Sequence, residues 1–226
     1  MSRISIIIPA YNEESSIGLV LDALPQDKIQ EIIVVDNGSS DDTARVATQH
    51  GARVVKEPRK GYGSACLKGI NELDAPDIVV FIDGDFSDYP EEIVSLLEPI
   101  DKGDEDFVLG SRMMLPESRM ALLPQARYGN QLAVFLIKLF FNHSFTDLGP
   151  FRAIRYSSLM EIGMQDTNFG WTVEMQIKAV KNKLRIREVP VKYRERIGVS
   201  KITGTVSGTF KAGTKIIYTI FKYLLT

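Results

Sequence analysis

Short aliphatic runs recur through the first half of this chain, and segments with helical periodicity separate them. Uninterrupted runs rich in β-branched residues are typical of strands that are buried on both faces. The runs lie at residues 4–8, 32–35, 53–55, 78–82 and 107–109. Because strands that alternate with helices pair in parallel, the pattern predicts one α/β domain. Its sheet should be doubly wound and mostly parallel, with helices on both faces.

Capping signals define the expected helices between these strands. Asn12, followed by two glutamates, predicts a helix that begins there and ends near Leu24. Residues 39–42 form a capping-box pattern that predicts the second helix. Pro90 predicts a later helix start, since proline is tolerated in the first helical position. The Lys-Gly-Tyr-Gly stretch at 60–63 is interpreted as a turn that shapes the entry to another helix.

Composition excludes some functional classes. The net charge is −2, whereas a general nucleic-acid-binding protein is normally clearly basic. Cys66 is the only cysteine, so no internal disulfide can form. The first apolar run breaks at Pro9 and is too short for a secretory signal, which predicts residence in the cytoplasm.

Several nucleotide-binding and catalytic motifs are absent from the sequence. No G-x-G-x-x-G follows the first strand and no G-x-x-x-x-G-K-[ST] occurs, which argues against dinucleotide-dependent oxidoreductases and P-loop NTPases. There is also no G-x-S-x-G elbow and no His/Cys cluster with zinc spacing.

The fourth aliphatic run ends in Asp83-Gly84-Asp85. Two carboxylates at the end of a buried strand supply the hard oxygen ligands that Mg²⁺ or Mn²⁺ prefers. Other ionisable and polar side chains follow the neighbouring strands, and ligands of such sheets bind beyond the carboxyl ends of the strands. These residues are therefore expected to meet at one edge, around a substrate that bears phosphate.

Three segments in order resemble the signature blocks of family 2 glycosyltransferases of GT-A fold. They are Pro-Ala-Tyr-Asn-Glu-Glu at 9–14, Val-Val-Asp-Asn-Gly-Ser-Ser-Asp-Asp-Thr at 34–43, and Asp-Gly-Asp at 83–85. Later segments at 110–112, 146–153 and 196–201 resemble the branch that contains dolichyl- and polyprenyl-phosphate mannose and glucose synthases. The resemblance extends from about Ile4 to Gly204, so it implies a glycosyltransferase with a single GT-A-like domain.

The resemblance implies a donor site for a nucleotide-sugar. Its residues would be Pro9, Tyr11, Glu13, Val34, Asp36, Asp83, Gly84, Asp85 and Arg112. Asp83 and Asp85 would hold Mg²⁺ or Mn²⁺, with Asp85 in direct contact with the metal. Some relatives have Gln two residues after the second Asp, whereas this chain has Ser87, which predicts looser metal binding or a ligand completed by serine or water. The block at 146–152 favours UDP-glucose over GDP-mannose as donor.

On the acceptor side, the resemblance implies a polyprenyl phosphate bound by cations. The residues that bind the acceptor phosphate would be Arg127, Arg196, Ser200 and Lys201. Arg112 and Asp85 would also act in catalysis. A phosphate oxygen is ionised near neutral pH, whereas a hydroxyl acceptor would need a carboxylate to take its proton. Glu174 is the catalytic candidate for that alternative, with Asp147 as a second. Direct displacement with inversion is what the family implies.

The sequence divides into a nucleotide-sugar-binding half (1–112), an acceptor-side half (113–204) and a C-terminal amphipathic helix (205–226). Segments 132–141 and 216–225 are apolar enough to contact a membrane surface, the sheet or another subunit. The expected protein is peripheral at the cytoplasmic membrane face, alone, as a homo-oligomer or with a membrane partner. Residues 196–205 are expected to close over the donor. A nucleotidyltransferase and an inactive nucleotide-sugar-binding subunit are the remaining alternatives.

Overall fold

The computed structural model describes residues 2–198 and 206–225, which contain one seven-stranded sheet. The strands are β1 (Ile4–Ala10), β2 (Glu31–Asp36), β3 (Arg53–Lys56), β4 (Ile78–Phe81), β5 (Phe107–Ser111), β6 (Arg152–Arg155) and β7 (Ile186–Pro190). The helices are α1 (Ile17–Ala23), α2 (Thr43–Gln49), α3 (Tyr62–Asn71), α4 (Ile93–Asp101), α5 (Pro116–Ala121), α6 (Pro124–Phe141), α7 (Tyr156–Ile162), α8 (Trp171–Lys181) and α9 (Val206–Leu225).

The strand order is β3-β2-β1-β4-β6-β5-β7, and this topology confirms the predicted α/β, mostly parallel sheet. Only β6 runs antiparallel, between β4 and β5. Its sequence, Arg-Ala-Ile-Arg, is four residues long and begins and ends in arginine, so the sequence showed no aliphatic run there. The first four strands of the chain lie side by side in the sheet, in the order β3-β2-β1-β4. All four are parallel, so their carboxyl ends lie along one edge.

Alternate strand residues enter two separate cores, one on each face of the sheet. Ile7 and Phe81 belong to the core that also contains residues of α3, α6, α8 and α9. Ile6 and Ile8 point to the other face, with residues of α1 and α4. All four side chains are fully buried, and burying such a side chain stabilises a fold by about 1.5–3 kcal/mol. The sheet edge is thus a rigid platform for the residues that follow it.

Two predicted helix starts are wrong, and both lie at this edge. Asn12 has a left-handed φ of 55°, so it cannot cap a helix in the usual way, and α1 begins only at Ile17. The Asn12 N–H donates to Ser39 Oγ, and Asn12 Oδ1 accepts from the Ser40 N–H. The expected capping-box residues therefore bind the turn after β1, and α2 begins later, at Thr43.

Helices α6 and α9 lie on one face and contact each other. The apolar segment 132–141 forms the second half of α6, and Phe140 packs on Phe221 of α9 with ring centroids 5.4 Å apart. No helix within the described residues is long and apolar enough to cross a membrane. Both helices nevertheless expose large apolar side chains, Leu132 and Phe135 among them.

Candidate active site

A pocket of about 320 Å³ lies beyond the carboxyl ends of β1, β2 and β4. Seven of the residues that the sequence singled out line it: Pro9, Tyr11, Glu13, Asp83, Gly84, Asp85 and Arg196. Its lining is mixed, because Pro9, Tyr11 and Phe169 contribute apolar surface beside charged side chains. A cavity of this size with a few convergent polar groups suits a small-molecule ligand.

Sequence reasoning missed the other lining residues. They are Ala10, Asn37, Lys60, Gly61, Tyr62, Ala65, Asn168 and Phe169. The Lys-Gly-Tyr-Gly stretch was interpreted as a helix entry only, and it does lead into α3, but its side chains also form a pocket wall. Asn168 and Phe169 come from a loop far along the chain and carry no motif that could have revealed them.

Asp85 is buried and held in place by the turn that follows it. Its Oδ1 accepts from the backbone N–H of Ser87 at 2.9 Å and from Ser87 Oγ at 2.5 Å. Its other oxygen, Oδ2, lies 3.2 Å from Arg196 Nη1. Ser87 therefore orients the Asp85 carboxylate through Oδ1 and leaves Oδ2 to face Arg196, which also lines the pocket.

Asp83 combines pocket access with a poorly satisfied carboxylate. Its Oδ1 is buried without a hydrogen bond of normal geometry from residues 2–198 or 206–225, and so is the nearby Tyr62 hydroxyl. Burial, together with the negative charge of Asp85, raises the pKa of Asp83 to about 7, although Tyr62 and Arg196 act in the opposite direction. Two neighbouring carboxylates whose negative charges repel create a site that a cation would stabilise.

The turn between Asp85 and α4 is strained and braced. Phe86 has a φ of 59°, which a bulky residue rarely adopts. The Arg194 guanidinium lies 3.7 Å from the centroid of the Phe86 ring and 3.9 Å from that of Tyr89. Arg194 Nε also donates to the Phe86 carbonyl at 2.9 Å. These contacts hold the backbone conformation that presents Asp85.

Arg196 links two acidic residues across the pocket. Its Nη2 donates to Glu13 Oε1 at 2.7 Å, while Nη1 faces Asp85. The Ile197 N–H donates to the Asp85 carbonyl at 3.1 Å, which fixes this segment over the strand end. Arg196 thus brings positive charge next to the acidic residues of the pocket, where an anionic ligand could bind.

Tyr11 and Lys60 also line the pocket and contact each other. Lys60 Nζ donates to the Tyr11 hydroxyl at 3.0 Å and lies 4.6 Å from the ring centroid. Asn37 Oδ1 accepts from the Gly61 N–H at 2.8 Å, and its Nδ2 donates to the carbonyls of Glu57 and Arg59. Asn37 therefore positions the segment that carries Lys60.

Arg112 and Asp147 form a buried bidentate pair outside the pocket lining. Arg112 Nε donates to Asp147 Oδ2 at 2.7 Å, and Nη2 donates to Oδ1 at 2.8 Å. Asp147 Oδ2 also accepts from the Arg112 N–H, and Oδ1 accepts from the Leu148 N–H. Both oxygens of Asp147 are thus occupied, and the pair ties the end of β5 to the loop before β6.

Glu174 lies in the first turn of α8, fully buried and outside the pocket lining. Its oxygens accept from the N–H groups of Gln165 and Asp166, at 3.0 and 2.6 Å. Tyr223 donates its hydroxyl proton to Glu174 Oε1 at 2.6 Å, and Lys178 Nζ lies 2.9 Å from the same oxygen. The structure therefore does not bring Glu174 to the pocket.

The remaining predicted site residues occupy other places. Val34 is fully buried inside β2, and Asp36 at the end of that strand accepts from the Ser39 N–H at 2.9 Å. Arg127 lies on α6, where its guanidinium is 5.9 Å from the Tyr128 ring. Ser200 and Lys201 lie outside the described residues, as does most of the segment expected to close over the donor.

Asp88 is a buried carboxyl that the sequence did not single out. Neither oxygen has a hydrogen-bond partner within the described part of the chain. Burial, reinforced by the nearby charge of Asp83, raises the pKa of Asp88 well above its usual range. The group therefore stays protonated at pH values where an exposed aspartate is ionised.

The pocket carboxylates suit a divalent cation when a bound ligand supplies further oxygen atoms. Asp83 and Asp85 offer carboxylate oxygens, the ligand type that Mg²⁺ and Mn²⁺ prefer. Among residues 2–198 and 206–225, however, no group of three or more His, Cys, Asp or Glu is arranged to hold a metal ion. Mg²⁺ commonly binds through one or two carboxylates together with substrate phosphates, and this pocket matches that arrangement.

Comparison with a known structure supports the same fold. Glucosyl-3-phosphoglycerate synthase from Mycobacterium tuberculosis, in complex with Mn²⁺, UDP and glucosyl-3-phosphoglycerate, superposes with a TM-score of 0.80. The alignment covers 98% of this chain and 80% of that one, at 23% identity. At this level of identity the similarity shows a shared GT-A-type fold.

Sequence comparisons identify the family. The family model "Glycosyl transferase family 2" matches residues 5–163. An uncharacterized glycosyltransferase of Mycobacterium tuberculosis is 35% identical over 92% of this chain and 94% of its own length. The UDP-N-acetylglucosamine–dolichyl-phosphate N-acetylglucosaminyltransferase of Methanococcus voltae is 32% identical over 84% of each chain. The chain therefore belongs to glycosyltransferase family 2.

Proposed function

We propose that this glycosyltransferase transfers a sugar from a UDP-sugar to a polyprenyl phosphate, with UDP-glucose as the favoured donor. The pocket supports the donor half of this proposal. Tyr11 and Pro9 offer apolar surface for a base, whereas Asp83, Asp85 and Arg196 of the same lining could hold a diphosphate and its cation. The relative from Methanococcus voltae is named for a UDP-sugar donor, which favours UDP over GDP.

Asp83 and Asp85 would hold Mg²⁺ or Mn²⁺, with Asp85 as the direct ligand. The cation would neutralise charge that develops on the departing nucleoside diphosphate. Ser87 keeps the Asp85 carboxylate oriented, and Arg196 can exchange its contact with Asp85 for one with phosphate. The absence of a third acidic ligand within the described residues implies that the donor diphosphate completes the coordination.

The hydrogen bonding of the two candidate bases, Glu174 and Asp147, is the observation that favours a phosphate acceptor. A hydroxyl acceptor needs a carboxylate that is free to take its proton. Glu174 is occupied by two backbone N–H groups, Tyr223 and Lys178, while Asp147 is occupied by Arg112 and Leu148. A phosphate monoester is already ionised near neutral pH, so it can attack without either group.

The proposed reaction is a single displacement. An acceptor phosphate oxygen forms a bond to the anomeric carbon, and the bond from that carbon to the donor diphosphate breaks. The electron pair leaves with the nucleoside diphosphate, and the configuration at the anomeric carbon inverts. Arg196, together with Lys201 and Ser200 from the segment after it, would hold the two phosphorylated substrates close despite their mutual repulsion.

Helices α6 and α9 support a lipid acceptor. Their sequences contain no Asp or Glu, and their exposed apolar residues include Leu132, Phe135 and Leu139 on α6, and Tyr218, Phe221 and Leu225 on α9. Their basic residues are Arg127, Lys138, Lys211, Lys215 and Lys222. Apolar residues beside lysines and arginines are typical of helices that lie on a membrane surface. We therefore propose that the protein binds the membrane peripherally through this face.

A matched acceptor panel tests the proposal. Purified protein with Mn²⁺ is given UDP-glucose, UDP-N-acetylglucosamine or GDP-mannose, each with farnesyl phosphate, farnesol or 3-phosphoglycerate. We expect a glycosylated farnesyl phosphate with a UDP-sugar and no product from farnesol, which differs only in lacking the phosphate. Product from 3-phosphoglycerate alone would instead establish a hydroxyl acceptor and overturn the lipid-phosphate assignment.

A further inference from the structure

One wall of the donor pocket is the loop between α7 and α8. We call residues 163–170 the wall loop. Its Asn168 and Phe169 line the pocket. The Thr167 carbonyl accepts from Ser64 at the start of α3, at 2.9 Å from the N–H and 3.1 Å from Oγ. A Cβ on Gly63 would lie 2.0 Å from the Asp166 carbonyl oxygen, so loop and helix pack with no spare room.

Two carboxylates fold the wall loop. Asp166 Oδ1 accepts from the N–H groups of Asn168 and Gly170, at 2.7 and 3.2 Å. Glu174, just beyond the loop, accepts from the N–H groups of Gln165 and Asp166. The orientation of Asn168 and Phe169 toward the pocket therefore depends on where these two carboxylates lie.

Helix α9 contacts both carboxylates from the other side. Lys215 Nζ lies 2.8 Å from Asp166 Oδ2, and the Tyr223 hydroxyl donates to Glu174 Oε1 at 2.6 Å. Between them, Thr219 is buried against Gly170, where a Cβ would lie 2.4 Å from Thr219 Oγ1. Residues 215, 219 and 223 are spaced by four, so they share one face of the helix.

We propose that α9 is a positioning element of the donor pocket, in which Lys215, Thr219 and Tyr223 hold the wall loop in its ligand-binding conformation. The proposal rests on the proposed function for the identity of the donor as a nucleotide-sugar. In this proposal Glu174 supports the wall loop and does not act as the base that takes a proton from the acceptor. Loss of an α9 contact should therefore weaken donor binding more than it slows turnover at saturation.

Two pairs of variants on the same helix provide the test. Lys215→Met and Tyr223→Phe each remove one polar contact, and each leaves the carboxylate with other hydrogen bonds, so the fold should persist. Lys211→Met and Tyr218→Phe, at exposed positions of the proposed membrane face, are matched controls for UDP binding and loop exchange only, not for transfer to a lipid acceptor. Titration calorimetry measures the Kd of UDP with Mn²⁺, steady-state kinetics separates KM from kcat, and amide hydrogen exchange follows residues 163–170 without any ligand.

We expect the Kd of UDP and the donor KM to rise by about tenfold in the two test variants, the effect of losing one charged or buried hydrogen bond. The kcat should change by less than about twofold, since the chemistry lies elsewhere. Wall-loop amides should exchange faster in the test variants and at the wild-type rate in the controls. Unchanged exchange and unchanged Kd, whatever the loss of stability, would overturn the proposal. If the wild type binds neither UDP nor GDP while the exchange differences appear, the proposed function fails and the support of the loop by α9 stands.

Discussion

Asp83 in the pocket and the carboxylates outside the pocket lining differ in how their hydrogen bonds are satisfied. Asp83 has a buried oxygen without a hydrogen bond of normal geometry from the described residues, and its pKa is raised to about 7 by burial and by Asp85. Outside the pocket lining, Asp147 and Glu174 each accept several hydrogen bonds from fixed donors. Unsatisfied carboxylates at a cavity are available to a ligand, whereas saturated ones stabilise loops.

Position relative to the pocket also separates residues that sequence motifs treat alike. Asp85 and Glu174 are both acidic and both buried. Asp85 lines the pocket beside Arg196, whereas Glu174 lies outside the lining and accepts from the N–H groups of Gln165 and Asp166. Substitutions that remove charge while keeping shape should therefore affect function at the first site and stability at the second.

The largest effect is expected from Asp85→Asn. Asparagine can still accept from Ser87, so the free energy of unfolding should change little, while the metal-dependent transfer rate should fall by at least about 100-fold. Sugar transfer and urea unfolding measure the two quantities, with Asp74→Asn at an exposed turn as the control. Transfer that survives Asp85→Asn would contradict the metal assignment.

Asp147→Asn should mainly destabilise the protein. It leaves the Arg112 guanidinium buried without its anionic partner, and breaking a buried pair in this way costs about 3–5 kcal/mol. Urea unfolding checks the size of the loss. A variant of wild-type stability with no transfer activity would show instead that Asp147 acts in the reaction.

Glu174→Gln should produce an intermediate loss of stability. The amide still accepts one hydrogen bond but places donors toward the N–H groups of the loop, for a cost of about 1–3 kcal/mol. The kcat with farnesyl phosphate should stay within about threefold of wild type, because no step requires the carboxylate to take a proton. A fall in kcat of about 100-fold at saturating donor, with stability retained, would restore Glu174 as a catalytic base.

The smallest effect is expected at Asp88 and depends on pH. Because burial raises its pKa, the folded state keeps a proton that the unfolded chain loses above about pH 4. The wild type should therefore lose stability as pH rises from about 5 toward the folded pKa. Asp88→Asn removes this dependence, so its stability relative to the wild type should rise between pH 5 and pH 8. Urea unfolding at several pH values measures the free energy of unfolding of both proteins. The same pH dependence in both would refute the assignment.

Much of the fold could be predicted from the sequence because the aliphatic runs and the helix periodicity are local signals. β6 could not be predicted, since its four residues are bounded by arginines whose burial depends on neighbours distant in sequence. Arg152, for example, is fully buried and donates to the carbonyls of Leu148 and Thr172. The turn at Asn12 likewise takes its conformation from Ser39 and Ser40, which lie on another turn.

The candidate site was predictable where a motif follows a strand and unpredictable where two distant segments meet. Tyr11, Glu13 and Asp83 follow parallel strands, so the shared edge brings them together. Phe169 reaches the pocket through a loop that Asp166 and α9 hold, and no local pattern encodes that contact. Nor does sequence distinguish the unsatisfied Asp83 from the saturated Glu174, because saturation is a property of the packed structure.

The most direct test of the central claim is calorimetric titration of UDP into the wild type and into Asp85→Asn, each with and without Mn²⁺. If the pocket carboxylates bind a cation that the diphosphate completes, UDP binding to the wild type should tighten at least about tenfold with Mn²⁺. Asp85→Asn should bind UDP equally in both conditions. Tight UDP binding that is independent of Mn²⁺ in the wild type, or an Mn²⁺ effect that persists in Asp85→Asn, would contradict it.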